Sequence, residues 1–274
     1  MADSRWELAE RAPAAPLRPH VLGLCGYEER TTRPRPQRKF PVPMVVLIIE
    51  IGPPLRVSLG GAGADGACHP GGFVGGLSDT WSILAHDGWQ RGIQVDMTPT
   101  GARRLFGLPM SELAGHAVAL RDVLPKHDRE WLDRLAELPD WSTRLDVVEG
   151  WLARALSTAT VDTRRVDAAV ERITSCGGAL RTGPLARDLG CSPKHLVTLF
   201  RDQVGVPPKL FAQLVRFEQV MERACSARAA RWIELALDAG YCDQAHLARD
   251  VRRFTGLTPT AARAQYPDLV ALLS

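Results

Sequence analysis

Leu185-Ala186-Arg187-Asp188-Leu189-Gly190 recurs fifty positions later as Leu235-Ala236-Leu237-Asp238-Ala239-Gly240. After each glycine the two segments realign with one inserted residue, Tyr241. His195-Leu196 then matches His246-Leu247, Arg201 matches Arg252, Gly205 matches Gly256 and Pro208 matches Pro259. Two copies of one unit, each about 24 residues long, therefore occupy the last third of the chain. A repeat constrains the architecture more tightly than any single predicted element.

Each copy reads as two helices joined by a tight turn. In the first, Leu185, Ala186 and Leu189 share one face of a short helix, Gly190 stops it, and Ser192-Pro193 supplies a hydroxyl N-cap with proline at the first helical position. Leu196, Leu199 and Phe200 continue the apolar face. In the second, Trp232, Leu235, Ala236 and Ala239 form the stripe, Gly240 the stop and Asp243 the cap, with Leu247, Val251 and Phe254 following. The small Ala186 and Ala236 allow the paired helices to cross closely. Leu210, Phe211, Leu214, Phe217, Val220, Met221 and Ala224 repeat at helical spacing between the copies, which predicts one linking helix. Helix-turn-helix units of this kind, at about 182–203 and 231–254, place their second helix in a DNA major groove.

The run Gly240-Tyr241-Cys242-Asp243-Gln244-Ala245-His246-Leu247-Ala248-Arg249, followed by Arg252-Arg253-Phe254-Thr255-Gly256-Leu257-Thr258-Pro259, resembles the signature of the AraC/XylS family of bacterial transcription regulators. The resemblance extends upstream through Leu199-Phe200-Arg201, Gly205, Pro208 and Arg216, covering roughly residues 165 to 265. It implies an α+β chain: a β-rich, cupin-like or jelly-roll-like sensor domain with trailing helices over 1–160, and an all-α double helix-turn-helix DNA-binding domain over 161–274. It also implies a duplex operator with a two-box element. A small-molecule effector, a homodimer and, for an activator, RNA polymerase are the further partners expected.

Composition agrees with two globular domains: 274 residues, 45% hydrophobic and 24% charged. Residues 161–274 hold 16 Lys and Arg against 12 Asp and Glu, net +4, whereas residues 1–160 are net −1. The positive charge lies with the repeat, as suits a nucleic-acid module joined to a neutral one. The longest apolar run, Met44 to Ile49, is of strand length, which predicts no membrane span. The acidic Asp3, Glu7 and Glu10 do not fit a signal peptide, so a cytoplasmic location is expected. The six cysteines, at 25, 68, 176, 191, 225 and 242, show no CxxC spacing and read as free thiols.

In the N-terminal part, residues 13–40 are rich in Pro and Arg, densest at Thr32 to Lys39. They read as a solvated loop, with a basic DNA-binding arm as the alternative. Val42 to Ile51 and Leu55 to Leu59 read as strands separated by Gly52-Pro53-Pro54, and Gly60 to Gly76 as a flexible connection or a succession of turns. Trp81 to Ala85 and Gly92 to Met97 are further strands with Asp87-Gly88 as a hairpin turn. Helices are expected over Pro99 to Phe106, Lys126 to Leu138, with Trp131, Leu132, Leu135 and Leu138 aligned, and Thr143 to Leu156. The last two either carry a dimer contact or cap the barrel. Val161 to Cys176, with Val166, Val170 and Ile173 inward, opens the DNA-binding domain.

Catalytic chemistry finds no pattern. Cys68-His69, with Cys25 and His86, matches no standard metal-ligand spacing, and neither a Gly-x-Ser-x-Gly elbow nor a phosphate-binding Gly-x-x-x-x-Gly-Lys is present. No enzyme activity, metal or cofactor is expected. The alternative is an enzyme, or a thiol- or metal-based sensor, in the N-terminal domain. DNA chemistry is more specific. On the first recognition helix Lys194, Val197, Thr198 and Arg201 lie away from the apolar face. The family's base-reading positions carry over onto Lys194, Val197 and Thr198, and in the second copy onto Gln244, Ala245, Ala248 and Arg249. Arg249 can grip guanine O6 and N7 bidentately, Gln244 suits adenine, and Val197 can touch only apolar edges such as a thymine methyl. Arg201, Arg252 and Arg253 are expected on phosphates. Ala186, Gly190, Leu196 and Phe200, with Ala236, Gly240, Leu247 and Val251, are the expected helix-turn-helix core. His195 and His246 are expected to pack, and Asp250 to point away from DNA or pair with an arginine. Two recognition helices on one linking helix would enter successive major grooves about 34 Å apart.

Overall fold

The structure is a computed structural model, and it describes residues 4–32, 36–60, 66–126, 129–226 and 231–266. Arg33 to Arg35 of the basic run, residues 61–65 of the glycine-rich stretch and residues 127–128 of an expected helix lie outside the described residues. In chain order the strands are β1 (Ser4–Arg11), β2 (Val21–Thr31), β3 (Gln37–Lys39), β4 (Val45–Glu50), β5 (Arg56–Leu59), β6 (Ala67–Cys68), β7 (Phe73–Gly75), β8 (Ser82–Ala85) and β9 (Trp89–Met97). Then come α1 (Pro99–Phe106), a 3-10 turn Met110–Glu112, β10 (Ala117–Ala119), α2 (Leu120–Val123), α3 (Arg129–Arg134) and α4 (Trp141–Ser157). The remainder is helical: α5 (Arg164–Ser175), α6 (Thr182–Asp188), α7 (Pro193–Gln203), α8 (Pro208–Cys225), α9 (Trp232–Asp238), α10 (Gln244–Thr255) and α11 (Pro259–Gln265). A β-rich N-terminal part and an all-helical C-terminal part thus make up an α+β chain.

The strands form two sheets, a six-stranded one in the order β1-β2-β9-β4-β7-β10 and a four-stranded one in the order β3-β8-β5-β6. β4 is buried along nearly its whole length because both faces of its Val-Val-Leu-Ile-Ile run are covered, and it pairs with β9 and β7. Among the described residues no helix is long and apolar enough to cross a membrane.

Several expectations for this part are corrected. Residues 13–40 are not simply a solvated loop: Val21–Thr31 is an eleven-residue strand next to the edge of the larger sheet. Its sequence hides this because Gly23, Gly26 and charged Glu28 to Arg30 interrupt it, and its buried Val21, Leu24 and Tyr27 fall at intervals of three rather than the two of a regular strand. β1 was not expected at all. The glycine-rich stretch contains Phe73–Gly75, a strand whose Phe73 and Val74 are buried. Asp87-Gly88 does not close a hairpin, since β8 and β9 lie in different sheets; the turn carries the chain from one sheet to the other, with Gly88 at φ +102°. The strand expected over Val42 to Ile51 begins only at Val45, after Pro41 and Pro43, which cannot donate to a ladder.

α4 covers the outer face of the β1–β2 ribbon. Its N-cap Asp140 accepts from Thr143 N, and Trp141, Leu145, Val148, Trp151 and Leu152 form its buried stripe. Gly26 leaves room for the Trp141 indole, whose Nε1 donates to Glu7 at 3.0 Å; a Cβ on residue 26 would lie 2.3 Å from Trp141 Cε3. Arg11 on β1 reaches Asp146 and Glu149 of the same helix.

Gly26→Ala is therefore expected to lower stability by about 1–3 kcal/mol through overpacking; an unchanged urea midpoint would mean Trp141 can retreat. Glu50 generates a second expectation. It is buried, its Oε1 accepts from Leu55 N at 2.8 Å and its Oε2 has no partner, so burial pushes its carboxyl up from the ordinary 4.5 to about 7. Between those pH values the folded form keeps a proton that the unfolded chain has lost, so stability falls as pH rises through this window and levels off above it. Glu50→Gln keeps the acceptor for Leu55 N and is expected to flatten that slope in denaturation measured from pH 4.5 to 8, a range spanning both values.

Candidate nucleic-acid interface

The two copies of the repeat fold alike, for the local reasons legible in the sequence. In the first, Gly190 takes φ +66°, its N–H donates to Arg187 O, and Cys191 N donates to Ala186 O at 3.0 Å. A Cβ on Gly190 would meet nothing within 4 Å, so the left-handed backbone alone is the reason for glycine. Ser192 then caps α7 by accepting from His195 N at 3.1 Å. In the second, Gly240 at φ +75° is equally open, Tyr241 N donates to Ala236 O at 2.9 Å, and Asp243 caps α10 by accepting from His246 N at 2.6 Å. Ala186, Leu196, Phe200, Ala236, Leu247 and Val251 are fully buried.

The opposite faces are open. On α7, Lys194, Thr198 and Arg201 are exposed and Val197 is half-buried; on α10, Gln244, Ala245, Arg249 and Arg252 are exposed and Ala248 is half-buried. These side chains share one side of each helix, and the first turns of both helices are exposed. His195 is exposed, contrary to the packing role expected of it, because the turn after Ser192 leaves the first turn of α7 uncovered. His246 is half-buried, edge-on to the Tyr241 ring at 5.0 Å. Asp250 points inward: it is buried beside Tyr241, whose hydroxyl burial pushes up in pKa and whose ring carries Arg216 at 5.2 Å.

The C-terminal ends of both recognition helices are held by the N-terminal part, which the sequence did not signal. Arg103 of α1 pairs with Asp202 of α7 at 3.2 Å, and the backbone of Met110 packs against Gly205. At α10 the hold is tighter. Arg38 of β3 lies 3.8 Å above the Trp81 ring and donates to Thr255 O at 2.7 Å, so a cation caps the negative end of the helix dipole. Arg253, expected on a phosphate, is bonded to Asp79 at 2.7 Å, so in this arrangement its guanidinium is engaged by the β-rich part. Phe40 continues the contact with an edge-on Phe217 of α8 and a stacked Tyr266.

Directly beside this junction lies a cavity of about 170 Å³ between the two sheets. Val46, Ile48, Val57, Phe73 and Leu84 make it mostly apolar, Gln94 and His116 add polar groups, and Lys39, Phe40 and Tyr266 close the end facing the helices. Burial draws the Lys39 ammonium down to about 8, against the opposing pull of Glu29. Among the described residues no three His, Cys, Asp or Glu side chains gather as metal ligands. Cys25, weighed as a thiol site, is pushed up to about 11 by burial and stays a thiol at neutral pH.

Residues 185–265 match the family of helix-turn-helix domains, and residues 9–119 match a domain of unknown function, DUF6597. No curated protein matches the chain. Among solved structures it is similar to an AraC-type transcriptional regulator from Chromobacterium violaceum, at 21% identity over 38% of this chain and 92% of that one, with a TM-score of 0.35. It is also similar to ToxT from Vibrio cholerae, at 9% identity over 96% of this chain and 98% of that one, with a TM-score of 0.47. From the family match and the paired units it covers, residues 185–265 are an AraC-type helix-turn-helix domain, the DNA-binding part of a transcription regulator.

Proposed function

We propose that the protein is a sequence-specific regulator in which α7 and α10 read successive major grooves, and that a small apolar effector in the inter-sheet cavity controls it. Lys194, Val197 and Thr198 face one box, Gln244, Ala245 and Arg249 the other, with Arg201 and Arg252 on phosphates. On this reading residues 1–160 bind the effector and residues 161–274 bind DNA; the packing of α5 on α7 and α8 supports counting α5 with the DNA-binding part.

One observation carries the effector part. The segment 38–41 serves both sites, because Arg38 holds the end of α10 while Lys39, Phe40 and Pro41 line the cavity. A guest that prefers one position of this wall must prefer one position of α10, which is the differential affinity that control requires. The volume suits a compact guest; a dry cavity of about 150 Å³ accepts a benzene-sized molecule. Arg253 would exchange Asp79 for a phosphate when α10 is released, which reconciles its engagement here with its place on the DNA-binding helix.

Selection of bound duplexes from a random pool by the full-length protein is expected to recover a two-box motif. Arg249→Ala is expected to relax one position of one box, with a loss of about 1–3 kcal/mol on the preferred sequence. A pool with no motif, with and without candidate apolar guests, would count against specific readout. Arg252→Ala is expected to weaken all duplexes alike and to reduce the salt slope by about one. Arg38→Ala frees α10 and is expected to tighten operator binding by up to about 2 kcal/mol; unchanged affinity by fluorescence anisotropy would remove the N-terminal part from control.

A further inference from the structure

The ladder of the smaller sheet aims Lys39 into the cavity. Lys39 stands opposite Ser82, which stands opposite Leu59, and in the next row of that face Leu84 stands opposite Val57. Side chains directly across an antiparallel ladder share a face. Ser82, Leu59, Leu84 and Val57 all line the cavity, so Lys39 projects to the same side. Arg38, of the other parity, leaves by the opposite face to stack on Trp81. The inward face of the larger sheet carries Ile48 and Gln94 in one row and Glu29 with Gln90 in another.

Lys39 is unlike the other three lysines of the chain. Lys126, Lys194 and Lys209 are exposed, whereas Lys39 is withdrawn from water and nothing among the described residues bonds to its ammonium. The carboxylate that acts on it, Glu29, is already taken by Gln90 Nε2 at 2.6 Å and His86 Nε2 at 3.3 Å. An ammonium held in an apolar space without a partner gives up its proton more easily, and burial brings Lys39 from the ordinary 10.5 down to about 8. At pH 7 about a tenth of the population is then free amine. A desolvated lysine amine of this kind is the nucleophile that condenses with carbonyl compounds.

We infer that Lys39 is a covalent capture site for small apolar aldehydes, which enter the inter-sheet cavity and are held there as an imine on Nζ. The amine adds to the carbonyl carbon, and one nitrogen-bound proton passes to oxygen to give a carbinolamine. Loss of the second proton together with hydroxide, as water, leaves the C=N bond; hydrolysis reverses the step, and no oxidant or reductant enters. Once protonated, the imine keeps the positive charge on which Glu29 acts. A carboxylate of the same size would have to shed its hydration in a mostly apolar space and lie near Glu29, whereas an aldehyde enters uncharged. The volume of about 170 Å³ suits an aryl or short alkyl group. The inference rests on the reading that this cavity receives the effector, and it names the chemical class. Lys39 adjoins Arg38, so a bond formed on Nζ acts next to the residue that holds α10.

Benzaldehyde with sodium cyanoborohydride, given to the full-length protein at pH 7, tests it. The reductant converts the imine to a stable benzylamine. Peptide mapping is expected to find the benzyl group on Lys39 about tenfold or more faster than on Lys126, Lys194 or Lys209. Excess toluene, which fills the cavity without reacting, is expected to slow labelling of Lys39 alone, a readout in the unaltered chain. Lys39→Arg keeps a cation but offers no free amine, and is expected to lose the adduct. Labelling spread evenly over the four lysines, confined to the α-amino group or indifferent to toluene would overturn the inference, as would binding of benzoate with no adduct from benzaldehyde. Duplex binding by fluorescence anisotropy judges the underlying reading separately. An adduct on Lys39 that leaves duplex binding unchanged would keep the capture site and remove control; a response of duplex binding to toluene, with no adduct from benzaldehyde, would keep control and remove the capture site.

Discussion

One large apolar core runs through both parts of the chain, beside a smaller cluster of Ile48, Leu55, Val57 and Phe73 between the sheets, and the rest of the structure depends on the larger one. Leu47, Ile49, Val74 and Val95 of the larger sheet, Leu145 and Leu152 of α4, and Phe200, Phe217 and Phe254 of the helical region belong to one continuous buried cluster. Phe40 lies where the sheets meet the helices, with Phe217 on its edge and Tyr266 on its face. Packing of this density transmits displacement rather than absorbing it. The recognition helices are therefore not a module on a flexible tether: their apolar sides share a core with the cavity-bearing sheets, and only their outer sides and N-terminal turns are free.

The polar contacts laid over this core make the two repeats unequal. α7 is tied to α1 through Arg103 and Asp202, two residues that lie outside the cavity wall. α10 is tied through Arg38, Trp81 and Asp79, and Arg38 is adjacent in sequence to Lys39 and Phe40, which line the cavity. The pair formed by Arg253 and Asp79 is about half-exposed and contributes little by itself. Arg38 contributes more, since its guanidinium is stacked on an indole while it bonds to the terminal carbonyl of a helix whose last residue, Thr255, is fully buried. The contacts thus join the segment that lines the cavity to the end of α10, whereas the α7 pair lies outside it.

Much of the helical region was legible in the sequence because its determinants are local. Gly190 and Gly240 need a left-handed backbone, Ser192 and Asp243 cap the helices that follow them, and the apolar residues of α8 fall at helical spacing. The sheets were less legible because their determinants are distant. Gly26 in β2 reads as a strand breaker until Trp141, over a hundred residues later, is seen to occupy the space above it. Thr32 to Lys39 reads as a basic surface run, yet Arg38 is taken up by Trp81 and Thr255, contacts that no periodicity reports. Arg253 looks like its neighbour Arg252 in sequence, and only the position of Asp79 separates them.

The chemistry of the two recognition helices follows the same asymmetry. At the corresponding positions α7 offers Lys194, Val197 and Thr198, whose contacts are a flexible cation, an apolar surface and a hydroxyl that already bonds back to Lys194 O at 3.2 Å. α10 offers Gln244 and Arg249, side chains with planar, bidentate groups that distinguish one base pair from another. On the proposed reading, the helix with the greater capacity to discriminate sequence is the one gripped by the cavity wall. Control exerted there would act on the choice of site as well as on affinity, because weakening α10 leaves binding to depend on α7 and on phosphate contacts, which are largely indifferent to sequence.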